Sequence, residues 1–177
     1  MHIIAGIYKG LSLAYDKPWI RPTTSMARAG FFSSLGDEIV DARFLDLCTG
    51  TGAMAIEALS RGAFASVGID ARLELAKQNV AKLKVKGLSL YKNDVLRSLE
   101  ILERKGEQFN IIFFDPPYAY EGISDVVEMI SQSPVLLSGG VFAVEHDHKT
   151  PLPETLNRLI FYRRYDYGQS QITVYRI

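Results

Sequence analysis

The feature that most constrains the fold is a regular alternation of short apolar runs and helix-like segments that begins at Arg43. The apolar runs have the length and bounding residues of strands, and the segments between them carry apolar residues at helical spacing. Such an alternation predicts an α/β fold, with a mostly parallel sheet and helices on both faces. The predicted strands are 44–47, 66–69, 88–91, 110–114, 140–145, 157–165 and 171–176, and the predicted helices are 53–61, 72–84, 96–104 and 123–130. The last two strands are expected to form an antiparallel C-terminal hairpin.

Residues 1–40 precede this alternation, and we expect them to add a small hairpin and one helix to the same domain. Thr23 and Thr24 are candidate N-caps for that helix, because a hydroxyl can accept a hydrogen bond from a free amide at a helix start. A chain of 177 residues is long enough to form one domain, 1–177, with a large core.

Composition narrows the class of protein. The chain is 47% hydrophobic and 23% charged, which is typical of a globular domain and not of a disordered one. Its apolar runs are far shorter than the roughly 20 residues that span a bilayer, so no membrane partner is expected. A single cysteine, Cys48, excludes an internal disulfide framework and a multi-cysteine zinc site. We therefore predict a soluble, cytoplasmic protein.

The charges balance to zero, but basic residues are concentrated near both ends of the chain. A protein that binds naked nucleic acid through charge alone is usually more basic. The basic ends could form one electrostatic footprint if they meet in space, or they could be solvated termini. Both interpretations remain open at this point.

A glycine turn follows the first predicted strand and opens a helix. Glycine lets the backbone turn tightly and approach a ligand, and the helix start offers free amides to an anionic group. Asp70 lies 20 residues beyond Gly50, at the end of the next strand, where a carboxylate can accept hydrogen bonds from ribose hydroxyls. The pattern predicts a nucleoside cofactor, held by the turn residues Thr49, Gly50, Thr51 and Gly52.

The cofactor could be NAD or S-adenosyl-L-methionine, because Gly50, Gly52 and Ala55 also fit the looser dinucleotide pattern. Two features favour S-adenosyl-L-methionine. The turn follows about forty residues of other structure, and Asp46 stands four residues before Gly50, where an acid can hold the methionine ammonium. A pyrophosphate would gain nothing from that carboxylate.

The residues Asn93 and Asp94 follow the third predicted strand. Asp94 can accept a hydrogen bond from the adenine amino group, and it can also cap the next helix. The two roles are compatible, so both residues are candidates for binding the cofactor.

The sharpest motif is Asp115-Pro116-Pro117-Tyr118, which follows a fully apolar strand. The prolines fix the backbone and donate no hydrogen bonds, so the Asp115 carboxylate and the Pro116 carbonyl are rigid acceptors. Two such acceptors can orient the lone pair of an amine attached to an aromatic ring and stabilise positive charge that develops on it. Tyr118 could stack on a flipped base, and Tyr120 is a candidate at the rim. The motif predicts methyl transfer to such an amine, with no metal.

Over nearly its whole length the chain resembles the bacterial 16S ribosomal RNA guanine-N2 methyltransferases of the RsmD type, which are class I enzymes that depend on S-adenosyl-L-methionine. The resemblance is carried by IIAG and YKG in residues 3–10, RPTT at 21–24 with Arg28, LDL through GTG at 45–52, IEALSRGA at 56–63, DPPY at 115–118, and YG and TVY in the last hairpin. Thr49 departs from the family, which usually has alanine there.

The resemblance implies a Rossmann-like, seven-stranded methyltransferase sheet and methyl transfer to the N2 amine of one guanine. It also implies that the acceptor is 16S ribosomal RNA in an assembling small subunit, with ribosomal proteins as further contacts. By resemblance, Thr24 lies near the methionine carboxylate, Asp70 on the ribose and Asp94 at adenine. Arg21 and Arg28 are directed toward RNA.

Three alternatives remain. The tetrad alone also serves adenine-N6 methyltransferases acting on DNA or RNA, although the chain has little room for a DNA-recognition domain. A non-catalytic ribosome assembly factor is a second alternative, and an NAD oxidoreductase is a third. The sequence His146-Asp147-His148 could suggest a metal, but a zinc site needs three or four ligands in a closed geometry, so we expect none.

Overall fold

A computed structural model of the chain describes residues 1–15, 24–117 and 119–177. Its five helices are α1 (Ser25–Leu35), α2 (Ala53–Ser60), α3 (Glu74–Leu83), α4 (Val95–Arg104) and α5 (Ile123–Gln132), and a 3-10 turn spans Gly36–Ile39. Its eight strands are β1 (Arg43–Leu47), β2 (Ala65–Asp70), β3 (Leu88–Lys92), β4 (Phe109–Phe114), β5 (Leu136–His146), β6 (Thr155–Leu156), β7 (Leu159–Asp166) and β8 (Gln171–Arg176).

The strands form one sheet in the order β3-β2-β1-β4-β5-β8-β7-β6. β1 to β5 pair in parallel, whereas β8 runs antiparallel to both β5 and β7. The order reverses at β1, so the carboxyl ends of β1 and β4 meet at a switch point where α/β sheets bind their ligands. The predicted α/β fold, with its C-terminal antiparallel hairpin, is confirmed.

The sheet has eight strands in the described residues, one more than the seven expected. The predicted strand 157–165 begins two residues later than expected, at Leu159, because Asn157 adopts a left-handed backbone (φ 52°). The chain turns there, and the short β6 pairs back onto β7 through Thr155–Ile160 and Leu156–Leu159. A short, polar turn of this kind gives no apolar periodicity from which it could be predicted.

Helices cover both faces of the sheet and produce two main cores. On one face, α1 and α2 pack on side chains such as Phe44, Phe113 and Ala143. On the other face, α4 and α5 pack on the alternate residues of the same strands, such as Leu45 and Phe114. Because β1 and β4 are covered on both faces, almost every residue in them is buried. None of the helices in the described ranges is both long and apolar enough to cross a bilayer.

The N-terminal hairpin is reduced to a single antiparallel bridge between His2 and Ser12, and α2 holds it in place. Gly6 approaches the last turn of α2 so closely that a Cβ there would lie 1.5 Å from the Ser60 carbonyl oxygen. The Ser60 hydroxyl also accepts a hydrogen bond from the Tyr8 amide (2.9 Å) and donates one to the Ala5 carbonyl.

Glu57, on the same helix, is a buried anchor for this segment. Its carboxylate accepts hydrogen bonds from the amides of Ile4 (2.8 Å) and Ala5 (3.1 Å). It also pairs with the guanidinium groups of Arg61 (2.8 Å) and Arg28 (3.5 Å). We call Glu57, Arg28 and Arg61 with residues 1–8 the N-terminal clamp.

The structure corrects the expectation that Arg28 faces RNA. Its side chain is fully buried, and its guanidinium donates to the backbone carbonyl of His2 (2.6 Å) besides pairing with Glu57. Burial is also the main cause that lowers the pKa of Arg28. A side chain enclosed in this way joins α1 to the N-terminal clamp and is not exposed for contact with RNA.

Candidate active site

The glycine turn lies at the carboxyl end of β1 and leads directly into α2. Gly50 (φ 54°) and Gly52 (φ 79°) both adopt the left-handed backbone that favours glycine, and Cys48 does so as well (φ 65°). The Thr49 amide donates to the Ile69 carbonyl (2.9 Å), and the Gly52 amide donates to the Thr49 carbonyl (2.8 Å). These bonds fold the turn tightly against β2.

Asp46 lies beneath this turn with only 1% of its surface exposed. Its Oδ2 accepts hydrogen bonds from the Thr49 hydroxyl and from the Ala55 amide (3.1 Å) at the start of α2. Within the part of the chain that the structure describes, it has no cationic partner. Burial, opposed by these two hydrogen bonds, raises the pKa of Asp46 to about 7. A cation that bound here would therefore favour the ionised form.

Asp70 ends β2 and Asp94 follows the end of β3, as predicted. The Asp70 carboxylate accepts hydrogen bonds from the amides of Gly50 (2.8 Å) and Arg72 (2.9 Å), which tie it to the glycine turn. Asp94 caps α4, with its Oδ1 accepting from the Arg97 amide (3.1 Å). A carboxylate can accept about four hydrogen bonds, so both retain capacity for a ligand.

The segment after β4 is bound to the switch point. The Asp115 amide donates to the Leu47 carbonyl (3.2 Å), which continues the pairing of β4 with β1 beyond its last residue. The Tyr120 amide donates to the Pro117 carbonyl (2.8 Å), and the Tyr120 ring meets Phe114 edge-on with centroids 5.8 Å apart. Burial raises the pKa of Tyr120, so its phenol stays neutral.

These groups open on one cavity of about 810 Å³ at the carboxyl ends of the strands. Most of the predicted site residues line it: Asp46, Thr49, Gly50, Thr51, Asp70, Asn93, Asp94, Asp115, Pro116, Pro117 and Tyr120. Gly52 shapes the turn behind it. Thr24 caps α1, with its hydroxyl accepting from the Ala27 amide (3.1 Å), and does not line the described wall. Arg21, Thr23 and Tyr118 lie outside the described residues.

Carboxylates give the cavity a negative character. Burial raises the pKa of the Cys48 thiol, and the neighbouring Asp70, Asp115, Asp46 and Asp94 raise it further. The thiol therefore stays protonated, and Cys48 is unsuited to act as a nucleophile. A cavity of this charge suits a ligand that carries positive charge.

The cavity extends to a wall whose residues were not predicted to bind cofactor or substrate. This wall is contributed by the end of β5 and the loops beside it: Glu145, His146, Asp147, Thr150 and Ser170. Because β5 is a parallel strand next to β4, its carboxyl end meets the same edge of the sheet. The rule that ligands bind at the carboxyl ends of parallel strands is the signal from which these residues could have been predicted.

His146 is a buried structural histidine in this wall. Its Nδ1 lies 2.9 Å from the Asp147 carbonyl and its Nε2 lies 2.8 Å from the Thr173 hydroxyl. Burial lowers the pKa of His146, so the neutral ring donates to the carbonyl and accepts from the hydroxyl. His148 contacts the Gly168 carbonyl instead (2.8 Å). No group of three or more metal-ligating side chains occurs in residues 1–15, 24–117 and 119–177.

Comparison with known proteins gives an independent view of this site. A family model described as "Conserved hypothetical protein 95" matches residues 1–176. "Putative rRNA methyltransferase YlbH" of Bacillus subtilis (strain 168) is 33% identical over 99% of this chain and 98% of its own length. "Ribosomal RNA small subunit methyltransferase D" of Escherichia coli (strain K12) is 29% identical over 99% of this chain and 89% of its own length.

A solved structure repeats the architecture. "Putative methyltransferase yhhF from Escherichia coli" superposes with a TM-score of 0.85 at 28% identity, covering 99% of this chain and 96% of its own. The fold is therefore the Rossmann-like methyltransferase fold that the motifs implied. Since the family model and these relatives all match the chain almost from end to end, the protein belongs to the conserved hypothetical protein 95 family, the RsmD-type methyltransferases.

Proposed function

We propose that the protein transfers a methyl group from S-adenosyl-L-methionine to the exocyclic N2 amine of a guanine in 16S ribosomal RNA, within the assembling small subunit in the cytoplasm. One observation carries the proposal: the Asp46, Asp70 and Asp94 carboxylates open on the same cavity as Asp115 and Pro116. The groups suited to a nucleoside cofactor thus adjoin those suited to an amine.

The residues present fit this cofactor. Asp46 is a buried carboxylate without a described cationic partner, which is the environment that a methionine ammonium would complete. The start of α2 at Ala53, which lines the cavity, suits its carboxylate. Asp70 suits the ribose hydroxyls, and Asn93 with Asp94 suits adenine. When bound, the cofactor supplies an electrophilic methyl group on a sulfonium.

The chain's own residues then act on the acceptor amine. A guanine N2 amine is a weak nucleophile because its lone pair is delocalised into the ring. The Asp115 carboxylate and the Pro116 carbonyl hold its two hydrogens, which turns the lone pair toward the cofactor and stabilises the positive charge that develops on nitrogen. The Asp115 carboxylate, which holds this amine, accepts the proton that the methylated amine loses.

The proposal that ribosomal RNA accepts the methyl group rests on the names of the relatives. The two compared by sequence are named as an rRNA methyltransferase and as a small-subunit rRNA methyltransferase, and each aligns with 99% of this chain. A neutral protein is also suited to a folded ribonucleoprotein acceptor rather than to naked RNA. Thr24, Arg21, Tyr118 and Tyr120 remain proposed contacts to cofactor or RNA.

The test is to incubate the protein with methyl-labelled cofactor and small subunits from a strain that lacks it, and to digest the labelled RNA to nucleosides. We expect N2-methylguanosine. Asp115→Ala is expected to reduce the single-turnover rate by about 100- to 1,000-fold, while S-adenosylhomocysteine binds within about twofold of wild type. Asp125→Ala, an exposed carboxylate on α5, is the matched control and is expected to keep wild-type activity.

Label recovered as N6-methyladenosine would favour the adenine-N6 alternative. RNA without label, from a protein that binds S-adenosylhomocysteine, would favour the non-catalytic alternative. Full activity in Asp115→Ala would contradict the role given to this carboxylate.

A further inference from the structure

We propose that Glu145 selects guanine over other bases by accepting the N1–H of the base whose N2 amine is held by Asp115. The inference rests on the proposed function and names a specificity residue for it. The sequence motif around Asp115 fits any amine on an aromatic ring, so the motif alone does not explain how one base is chosen.

The strand register places Glu145 beside Asp115. β4 pairs in parallel with β5, with Phe113 opposite Ala143 and Phe114 opposite Val144. Asp115 directly follows the last residue of β4, and Glu145 is the next residue of β5. Neighbouring strands lie about 4.8 Å apart, so these two positions are adjacent at the edge of the sheet.

The two side chains also share a face and a cavity. Phe113 and Ala143 both belong to the core under α1 and α2, and side chains alternate along a strand, so the residues two positions later return to that face. Both Asp115 and Glu145 line the 810 Å³ cavity. Glu145 is only 9% exposed, and its Oε1 accepts a hydrogen bond from the Ser170 hydroxyl (2.7 Å), which fixes its position.

Two adjacent acceptors match one base edge in particular. Guanine presents N1–H next to its N2 amine, so donors stand side by side along its Watson–Crick edge. Adenine presents an acceptor, N1, next to its N6 amine. When Asp115 holds the amine, the ring nitrogen N1 faces Glu145. In guanine this nitrogen is a donor, N1–H, and in adenine it is an acceptor. A buried site built to accept a hydrogen bond discriminates strongly against a partner that cannot donate.

The experiment uses 2-aminopurine, which keeps the amine on C2 but has an acceptor at N1. Small subunits are reconstituted with guanine or 2-aminopurine at the mapped target position, and methyl transfer from labelled cofactor is measured. For the wild-type protein, we expect kcat/KM to be about 10- to 100-fold higher on guanine than on 2-aminopurine. In Glu145→Gln, whose amide can donate to N1, we expect the ratio to approach one.

Two controls keep the outcome specific. Glu121→Gln makes the same charge change on an exposed residue that does not line the cavity, and it is expected to keep the wild-type ratio. Affinity for S-adenosylhomocysteine within about twofold of wild type shows that Glu145→Gln remains folded around the cofactor site.

The outcomes separate this inference from the proposed function. A wild-type protein that methylates no guanine overturns the proposed function. A wild-type protein that methylates guanine and 2-aminopurine equally well overturns the inference and leaves the function intact, whether or not the variant folds. A wild-type preference that survives unchanged in Glu145→Gln also overturns the role given to Glu145.

Discussion

The two ends of α2 bury a carboxylate each, and the two carboxylates have opposite surroundings. At the last turn, Glu57 is held by two guanidinium groups and two backbone amides of the N-terminal clamp. Next to the first turn, Asp46 is held by one hydroxyl and one amide and lines the cavity. Both side chains are buried, so burial does not distinguish them.

The surroundings of the two carboxylates separate a structural acid from a binding acid. A buried charge is costly unless it is paired, and Glu57 is paired entirely from within the chain. Asp46 is not, and its pKa is raised to about 7. A buried carboxylate that faces a cavity and lacks an internal cation is suited to receive one from a ligand. The predictions below test this contrast.

The largest expected effect is on stability, at the clamp. Glu57→Gln leaves Arg28 buried without its counter-charge and should lower the free energy of unfolding by about 3–5 kcal/mol. In a chain of this length that corresponds to a fall in Tm of roughly 10 °C. Thermal unfolding followed by circular dichroism measures it.

Glu74→Gln is the matched control, since Glu74 is exposed on α3. Its unfolding free energy is expected to stay within about 0.5 kcal/mol of wild type. Equal stability in the two variants would show that Glu57 is not the anchor of the clamp.

The next effect is on binding, at the other end of the helix. Asp46→Asn keeps an acceptor for Thr49 and Ala55 but removes the charge, so affinity for S-adenosylhomocysteine should fall about 10- to 100-fold. Its stability at pH 8 should equal or exceed that of wild type, because a buried, unpaired charge is removed. Calorimetric titration and thermal unfolding give the two values. A loss of stability without a loss of affinity would reverse the roles of the two acids.

The raised pKa of Asp46 also gives a pH dependence. Between pH about 4 and about 7, Asp46 is ionised in the unfolded chain and protonated in the folded chain. The contribution of Asp46 to the free energy of unfolding therefore falls as the pH rises through this range, and it is constant above about pH 7. Affinity for the ammonium of S-adenosylhomocysteine should change in the opposite direction, weakening by up to about tenfold for each unit below pH 7. Titrations between pH 5.5 and 7.5 test this, and Asp46→Asn should abolish the dependence.

The smallest effect is expected at Thr49, the residue whose hydroxyl donates to Asp46. Thr49→Ala removes the hydroxyl that donates to Asp46, which should cost about 1 kcal/mol of stability and raise the pKa of Asp46 further. The pH dependence of affinity should therefore move to higher pH while activity is retained. An unchanged pH midpoint would show that this hydrogen bond does not control Asp46.

Much of the fold could be predicted because the signals are local. Each predicted strand, the glycine turn and the Asp115-Pro116-Pro117 segment is contiguous in sequence. The alternation of strands and helices therefore predicted that the turn and the segment lie at one edge of the sheet. Asp70 and Asp94 could be predicted for the same reason, because each comes shortly after a predicted strand.

The residues that were misjudged or missed depend on contacts between distant segments. The family resemblance implied that Arg28 faces RNA, and only the approach of Glu57 shows that it is buried. Glu145 joins Asp115 through the register of β4 and β5, and Ser170 reaches it from a loop 25 residues away. Neither the register between two strands nor a contact between distant segments can be derived from one segment of sequence.

The most direct test of the account is a crystal structure of the protein with S-adenosylhomocysteine. We expect the ligand in the 810 Å³ cavity, with its ammonium on Asp46, its ribose hydroxyls on Asp70 and its sulfur facing Asp115. A ligand bound with its sulfur directed away from Asp115, or with its ammonium distant from Asp46, would contradict it.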